Sequence, residues 1–114
     1  MDQPNDFELA VISLILQREA HGSSELLEQV SRLEVSSREY TEVGFFTEFN
    51  PSSKQLLGTI VPKLPLGTTV TAKIPDLKYD MGFALYVTDF GISMLEGYTY
   101  GEAWSHSTTD FELL

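Results

Sequence analysis

Residues 82–99 read GFALYVTDFGISMLEGYT, and this stretch decides the fold. Two runs rich in aromatic and β-branched residues flank Asp89-Phe90-Gly91, whose residue types favour a tight turn. The pattern therefore predicts two strands, Gly82–Thr88 and Ile92–Thr99, paired as an antiparallel hairpin.

Further strand patterns lie on both sides of this hairpin. Val43–Phe49 alternates, with Val43, Phe45, Thr47 and Phe49 on one side and Gly44, Phe46 and Glu48 on the other. Pro62 and Pro65 end a second strand, and Pro75 ends a third, since proline cannot donate a ladder hydrogen bond. The remaining predicted strands are Leu56–Val61, Val70–Ile74 and a short one within Phe111–Leu114.

The first 34 residues predict helices. Asp6 is expected to cap a helix from Phe7 to about Ala20, although Val11, Ile12 and Ile15 within it also favour a strand. The length of the apolar run favours the helix. His21-Gly22 would end it, and Ser23 or Ser24 would cap a second, amphipathic helix. Its apolar residues are Leu26, Leu27, Val30 and Leu33.

These elements predict an α+β fold in which one or two N-terminal helices pack on a curved, mainly antiparallel sheet of four to six strands. A chain of 114 residues has the usual size of one domain, and it contains no repeat or linker. We therefore expect a single domain over residues 1–114, with helices at about 7–34 and the sheet at about 38–114.

The composition favours the cytoplasm. The chain has no cysteine, so it has neither disulfides nor thiolate metal sites, as is common in a reducing compartment. Its first six residues hold two aspartates and no Lys or Arg, where a secretory signal would be basic, and the apolar run that follows is too short to cross a bilayer. Neither secretion nor membrane insertion is expected.

Charge limits the class of partner. The net charge is −10, with nine acidic side chains against three arginines in residues 1–42 and six against none in residues 79–114. Nucleic acid is excluded, because phosphate binding needs clustered Lys and Arg, and this chain has four scattered lysines. The acidity favours a basic protein partner, or serves only to keep the domain soluble.

Catalytic and metal motifs are absent from the sequence. His21 and His106 are the only histidines, so no pair at i and i+4 is present, and we expect no metal ion and no cofactor. Ser105, His106 and Asp110 are close in sequence, which is weak support for a nucleophilic enzyme. The alternative of a small hydrolase or ligand-binding barrel, using the concavity of the sheet, stays open.

An acidic and aromatic segment near the C-terminus is the candidate partner site. Tyrosine and tryptophan give large contact areas, and carboxylates beside them pair with Lys or Arg of a partner. The alternative is that these aromatic residues cover an open end of the sheet. The predicted partner-binding residues are Glu96, Tyr98, Tyr100, Glu102 and Trp104.

Two segments, REYTEVGFFT at residues 38–47 and LEGYTYGEAW at residues 95–104, resemble a set of small bacterial proteins of unassigned activity. The resemblance covers under a fifth of the chain and implies an α+β domain of bacterial origin, with no site residues to transfer. Small, acidic, cysteine-free bacterial domains include many immunity proteins, which neutralise basic toxins. The favoured hypothesis is thus a non-enzymatic protein-binding domain of that kind, as a monomer or homodimer.

Overall fold

The computed structural model describes residues 2–20, 23–56, 64–106 and 108–114. Two helices come first and six strands follow. The elements are α1 (Asp6–Glu19), α2 (Ser24–Val30), β1 (Val35–Thr41), β2 (Gly44–Phe49), β3 (Thr71–Lys73), β4 (Met81–Thr88), β5 (Gly91–Tyr98) and β6 (Glu112–Leu113).

The strands form one antiparallel sheet in the order β1-β2-β5-β4-β3-β6. The hairpin of β4 and β5 is at its centre, with Leu85 opposite Leu95 and a register shift after Tyr86. The helices and the open, curled antiparallel sheet confirm the predicted α+β fold.

The helix caps differ from the prediction in one residue. Asn5, not Asp6, caps α1: its side chain accepts from the backbone N–H of Glu8, and the Glu8 carboxylate accepts from the N–H of Asn5. This reciprocal pair satisfies two free amides at once. Ser23 caps α2 as expected, and the predicted stop at His21-Gly22 lies outside the described residues.

Strand β1 is the element that the sequence did not reveal. Of its seven residues only Val35 is buried, because β1 is the edge strand and only one neighbour, β2, covers it. It therefore lacks the apolar alternation on which strand predictions depend. The predicted strand at Leu56–Val61 lies outside the described residues, apart from Leu56.

The core lies between the helices and one face of the sheet. Ring contacts at its centre join Phe7 of α1 to Phe45, Phe83 and Phe111, with centroids 4.8 to 6.0 Å apart. Gly97 lies between Phe45 and Phe83 in the register, and a Cβ there would come within 2.2 Å of the Phe45 ring. The missing side chain lets the rings pack closely over β5.

Polar side chains fasten the helices to the sheet. Glu8 is 1% exposed and accepts hydrogen bonds from Arg38 at 2.6 and 3.0 Å and from the Thr47 hydroxyl at 2.5 Å. Hydrogen bonding to Glu8 raises the pKa of Arg38, so the guanidinium stays charged. Gln29 of α2 accepts from the N–H of Ile92. These contacts fix the helices on the core face.

No helix in the described ranges combines the length and the apolar character needed to cross a bilayer.

Candidate functional site

The side of the sheet turned away from both helices carries the candidate site. Phe45, Thr47 and Phe49 of β2 are buried toward the helices, so Phe46 and Glu48 between them lie on the opposite side. We call this side of β1, β2, β5 and β4 the outer face. Its residues are Ser37, Glu39, Phe46, Glu48, Gly82, Ala84, Tyr86, Met94, Glu96 and Tyr98.

Strand register places three carboxylates around two apolar side chains. In one row, Phe46 lies directly between Glu39 on β1 and Glu96 on β5. In the next row, Glu48 lies opposite Met94. Diagonal neighbours on antiparallel strands are about 7–8 Å apart, so Glu48 is within side-chain reach of the other two carboxylates.

A groove of 390 Å³ opens in this part of the outer face, lined by Ser37, Glu39, Phe46, Glu48 and Met94. Phe46 and Met94 are half-buried, while Glu39 and Glu48 are exposed at its rim. The Ser37 hydroxyl donates to Oε2 of Glu48 at 2.9 Å, which orients that carboxylate. The groove therefore has an apolar floor and an acidic rim.

The carboxylates of the groove have no cationic neighbour on the described part of the chain. The two ion pairs there are Glu8–Arg38, on the core face, and Glu28–Arg32, on α2. Lys73 shares the outer side but lies on β3, three strands from β2 and beside Glu112. The negative charge over β1, β2 and β5 is consequently not neutralised within the sheet.

Tyrosines form the other half of the outer face. Tyr98 lies between Gly44 and Gly82 in the register and meets Tyr100 edge to face, with centroids 5.8 Å apart. Burial raises the pKa of Tyr98, and Tyr100 and Glu96 add to the increase. Burial and Glu96 likewise raise the pKa of Tyr86. Both phenols therefore stay neutral and present ring surface beside the carboxylates.

The structure divides the five residues predicted from the C-terminal segment. Glu96 and Tyr98 lie on the outer face, and Tyr100, 63% exposed, extends it. Glu102 and Trp104 come after the strand ends and are directed elsewhere. The segment thus brings three of its five candidates together, and Phe46, Met94, Glu39 and Glu48 complete the surface from other strands.

Glu102 is bonded within the chain. Its two carboxylate oxygens accept the backbone N–H groups of Lys78 and Tyr79 at 2.7 and 2.9 Å. These hydrogen bonds lower the pKa of Glu102. The residue holds the loop before β4 against the segment that follows β5.

Trp104 lies in the core, 4% exposed, with its ring 5.4 Å from that of Phe45. This position agrees with the alternative considered for the aromatic residues, that they cover the end of the sheet. His106 packs against Trp104 and stacks on Tyr40, and its Nε2 is 2.8 Å from the Thr41 carbonyl oxygen. The imidazole is therefore engaged in holding the chain beside β1.

A second cleft, of 480 Å³, lies between α2 and residues 50–56. Its lining mixes both charges, including Glu28, Arg32 and Lys54. Across the described ranges, no three His, Asp or Glu side chains are grouped as a metal ion would need.

No family model, curated protein or solved structure matches this chain. The outer face therefore has to be interpreted from its own geometry and charge.

Proposed function

We propose that this chain is a non-enzymatic binding protein whose outer face recognises a basic protein. The observation that carries the proposal is the groove where Glu39 and Glu48 flank Phe46 and Met94, with Glu96 opposite Phe46 on the neighbouring strand. An apolar centre with a charged rim is the usual anatomy of a protein interface. The rim steers and selects the partner, and the buried aromatic contacts provide most of the affinity.

The most concrete form of this proposal is a cytoplasmic immunity protein of a bacterium, which neutralises a basic toxin. The net charge of −10 supports it, since complementary charge speeds association with such a partner. In this proposal Glu96 and Tyr98 contact the partner from the outer face beside the groove, and Tyr100 extends that contact.

Affinity capture from the native cell tests the proposal. The full chain is immobilised, captured proteins are identified, and the best candidate is purified and titrated at low and high salt. We expect a partner with a pI above about 9, whose affinity falls as salt screens the charges. An acidic partner, or an affinity independent of salt, would contradict charge-directed binding.

The alternative of a hydrolase or ligand-binding protein has one observation in its favour, the cleft beside α2, although this cleft is not the concavity of the sheet predicted for that function. Its Lys54 side chain offers a charged group to a small ligand. A thermal-shift screen of small metabolites tests it, and a saturable increase in melting temperature that Lys54→Ala abolishes would favour it.

A further inference from the structure

We propose that the groove lined by Ser37, Glu39, Phe46, Glu48 and Met94 binds an arginine side chain of the basic partner. This inference rests on the proposed function and specifies the group that the outer face recognises. The groove admits one long side chain, because its 390 Å³ lies within the range of small ligand sites.

The floor of the groove fits the apolar part of such a side chain. Phe46 offers a half-buried ring, and Met94, in the next row on β5, offers a flexible and polarisable thioether. The methylene groups of arginine would lie along Met94, and its planar guanidinium would stack on the Phe46 ring. A carboxylate ligand would meet the same floor but would be repelled by the rim.

The rim favours arginine over lysine by its geometry. Glu39 and Glu48 are diagonal neighbours across β1 and β2, so their carboxylates approach the groove from two directions. The arginine guanidinium has five N–H donors in one plane and can bridge two such carboxylates. The lysine ammonium is a single, strongly hydrated point of charge. The Ser37 hydroxyl donates to Oε2 of Glu48 at 2.9 Å, which restricts the rotation of that carboxylate at the rim.

Methyl NMR with a defined probe tests the inference. The protein is labelled at its methionine methyl groups and titrated with N-acetylarginine amide, N-acetyllysine amide or the neutral N-acetylcitrulline amide. Met94 lines the groove, and Met81, 0% exposed on the core face, is the internal control. We expect arginine amide to shift the Met94 signal saturably, with a Kd on the order of 1 mM, and to leave Met81 unchanged.

Selectivity and variants complete the test. Lysine amide should bind at least about threefold more weakly, and citrulline amide should cause no saturable shift, because it lacks the charge. Glu48→Gln should raise the Kd for arginine amide about tenfold, while Glu28→Gln, on α2, should leave it unchanged. An unmoved Met94 signal, or equal shifts from arginine and citrulline amides, would overturn the proposal. Equal affinity for lysine amide would overturn the selectivity for arginine.

Failure of this inference differs from failure of the proposed function. If arginine amide does not bind but the captured partner still loses affinity for Glu96→Lys, the outer face binds its partner by other contacts and only the inference is overturned. If Glu96→Lys leaves the partner's affinity unchanged as well, both are overturned.

Discussion

The ring of Tyr98 lies across Gly82, so that a Cβ atom on Gly82 would come within 2.6 Å of it. The two residues are directly opposite each other on β5 and β4. The absence of a side chain at Gly82 thus gives the tyrosine its position on the outer face. Gly82 therefore helps to position Tyr98 at the candidate site, although it has no side chain that could contact a partner.

Gly82→Ala should lower the free energy of unfolding by about 1–3 kcal/mol, because the new methyl group displaces the Tyr98 ring. In a Tyr98→Ala background the same change should be neutral or stabilising, since alanine is better than glycine within a strand. Urea denaturation of the four proteins measures the coupling. Equal costs in both backgrounds would show that the ring is not the obstacle.

Trp104 should tolerate phenylalanine far better than alanine. Trp104→Ala removes a buried ring beside Phe45 and should cost about 3–5 kcal/mol of stability. Trp104→Phe keeps a ring and loses no hydrogen bond, because the buried Nε1 has no partner among the described residues. Circular dichroism should follow unfolding, since the chain has one tryptophan. Similar losses for both variants would contradict a packing role.

Removing only one partner of the ion pair between Glu8 and Arg38 should lower the free energy of unfolding more than removing both charges. Arg38→Met leaves the buried Glu8 carboxylate without its cation and should cost about 3–5 kcal/mol. The double variant Glu8→Gln/Arg38→Met removes both charges, keeps an acceptor oxygen for Asn5 or Thr47, and should recover part of that loss. Chemical denaturation gives the free energy of unfolding of both variants. A double variant no more stable than Arg38→Met would contradict this account of the ion pair.

Lowering the pH should lower the free energy of unfolding, and protonation of Glu102 should account for part of that loss. Its pKa in the folded chain is below the ordinary value of 4.5, so its hydrogen bonds to Lys78 and Tyr79 stabilise the fold above that pH. This contribution disappears as the pH falls through the lowered pKa. Glu102→Gln should therefore be less stable than the parent at neutral pH, and the difference should shrink as the pH falls below 4.5, as urea midpoints across that range would show. A difference that does not change with pH would contradict this.

Glu19 should add to this acid sensitivity. Burial raises the pKa of Glu19, but hydrogen bonds from the Thr69 hydroxyl and from the N–H groups of Gly67 and Thr69 outweigh it, and the pKa is lowered overall. Glu19→Gln should thus lose stability at neutral pH by the same mechanism. The double variant with Glu102→Gln should show additive losses, because the two sites share no hydrogen-bond partner.

The sequence predicted those parts of the fold in which one face is buried. Alternation revealed β4, β5 and the core side of β2, and it also placed Phe46 and Glu48 on the opposite side, where the site lies. It could not reveal β1, an edge strand whose residues are mostly exposed. Consequently Ser37 and Glu39, which form one wall of the groove, had no signal of their own.

The candidate site was predicted from one segment, and the structure assembles it from three strands. Glu96 and Tyr98 are predicted because carboxylates stand beside aromatic residues in this segment. Trp104 is predicted because tryptophan gives a large contact area, but the chain turns at Gly101, where φ is 89°, and carries Trp104 into the core. The period of the strand puts Met94 on the same face as Glu96, but only the pairing of β2 with β5 shows that it lies opposite Glu48.

The affinity of the captured partner for Glu96→Lys, compared with Glu28→Lys, tests the central claim most directly. The two substitutions change the net charge equally, but Glu96 lies on the outer face and Glu28 lies on α2, across the sheet. Binding through the outer face predicts at least tenfold weaker binding for Glu96→Lys and a change under about twofold for Glu28→Lys. Equal affinities for the two variants would contradict the claim that the outer face is the binding site.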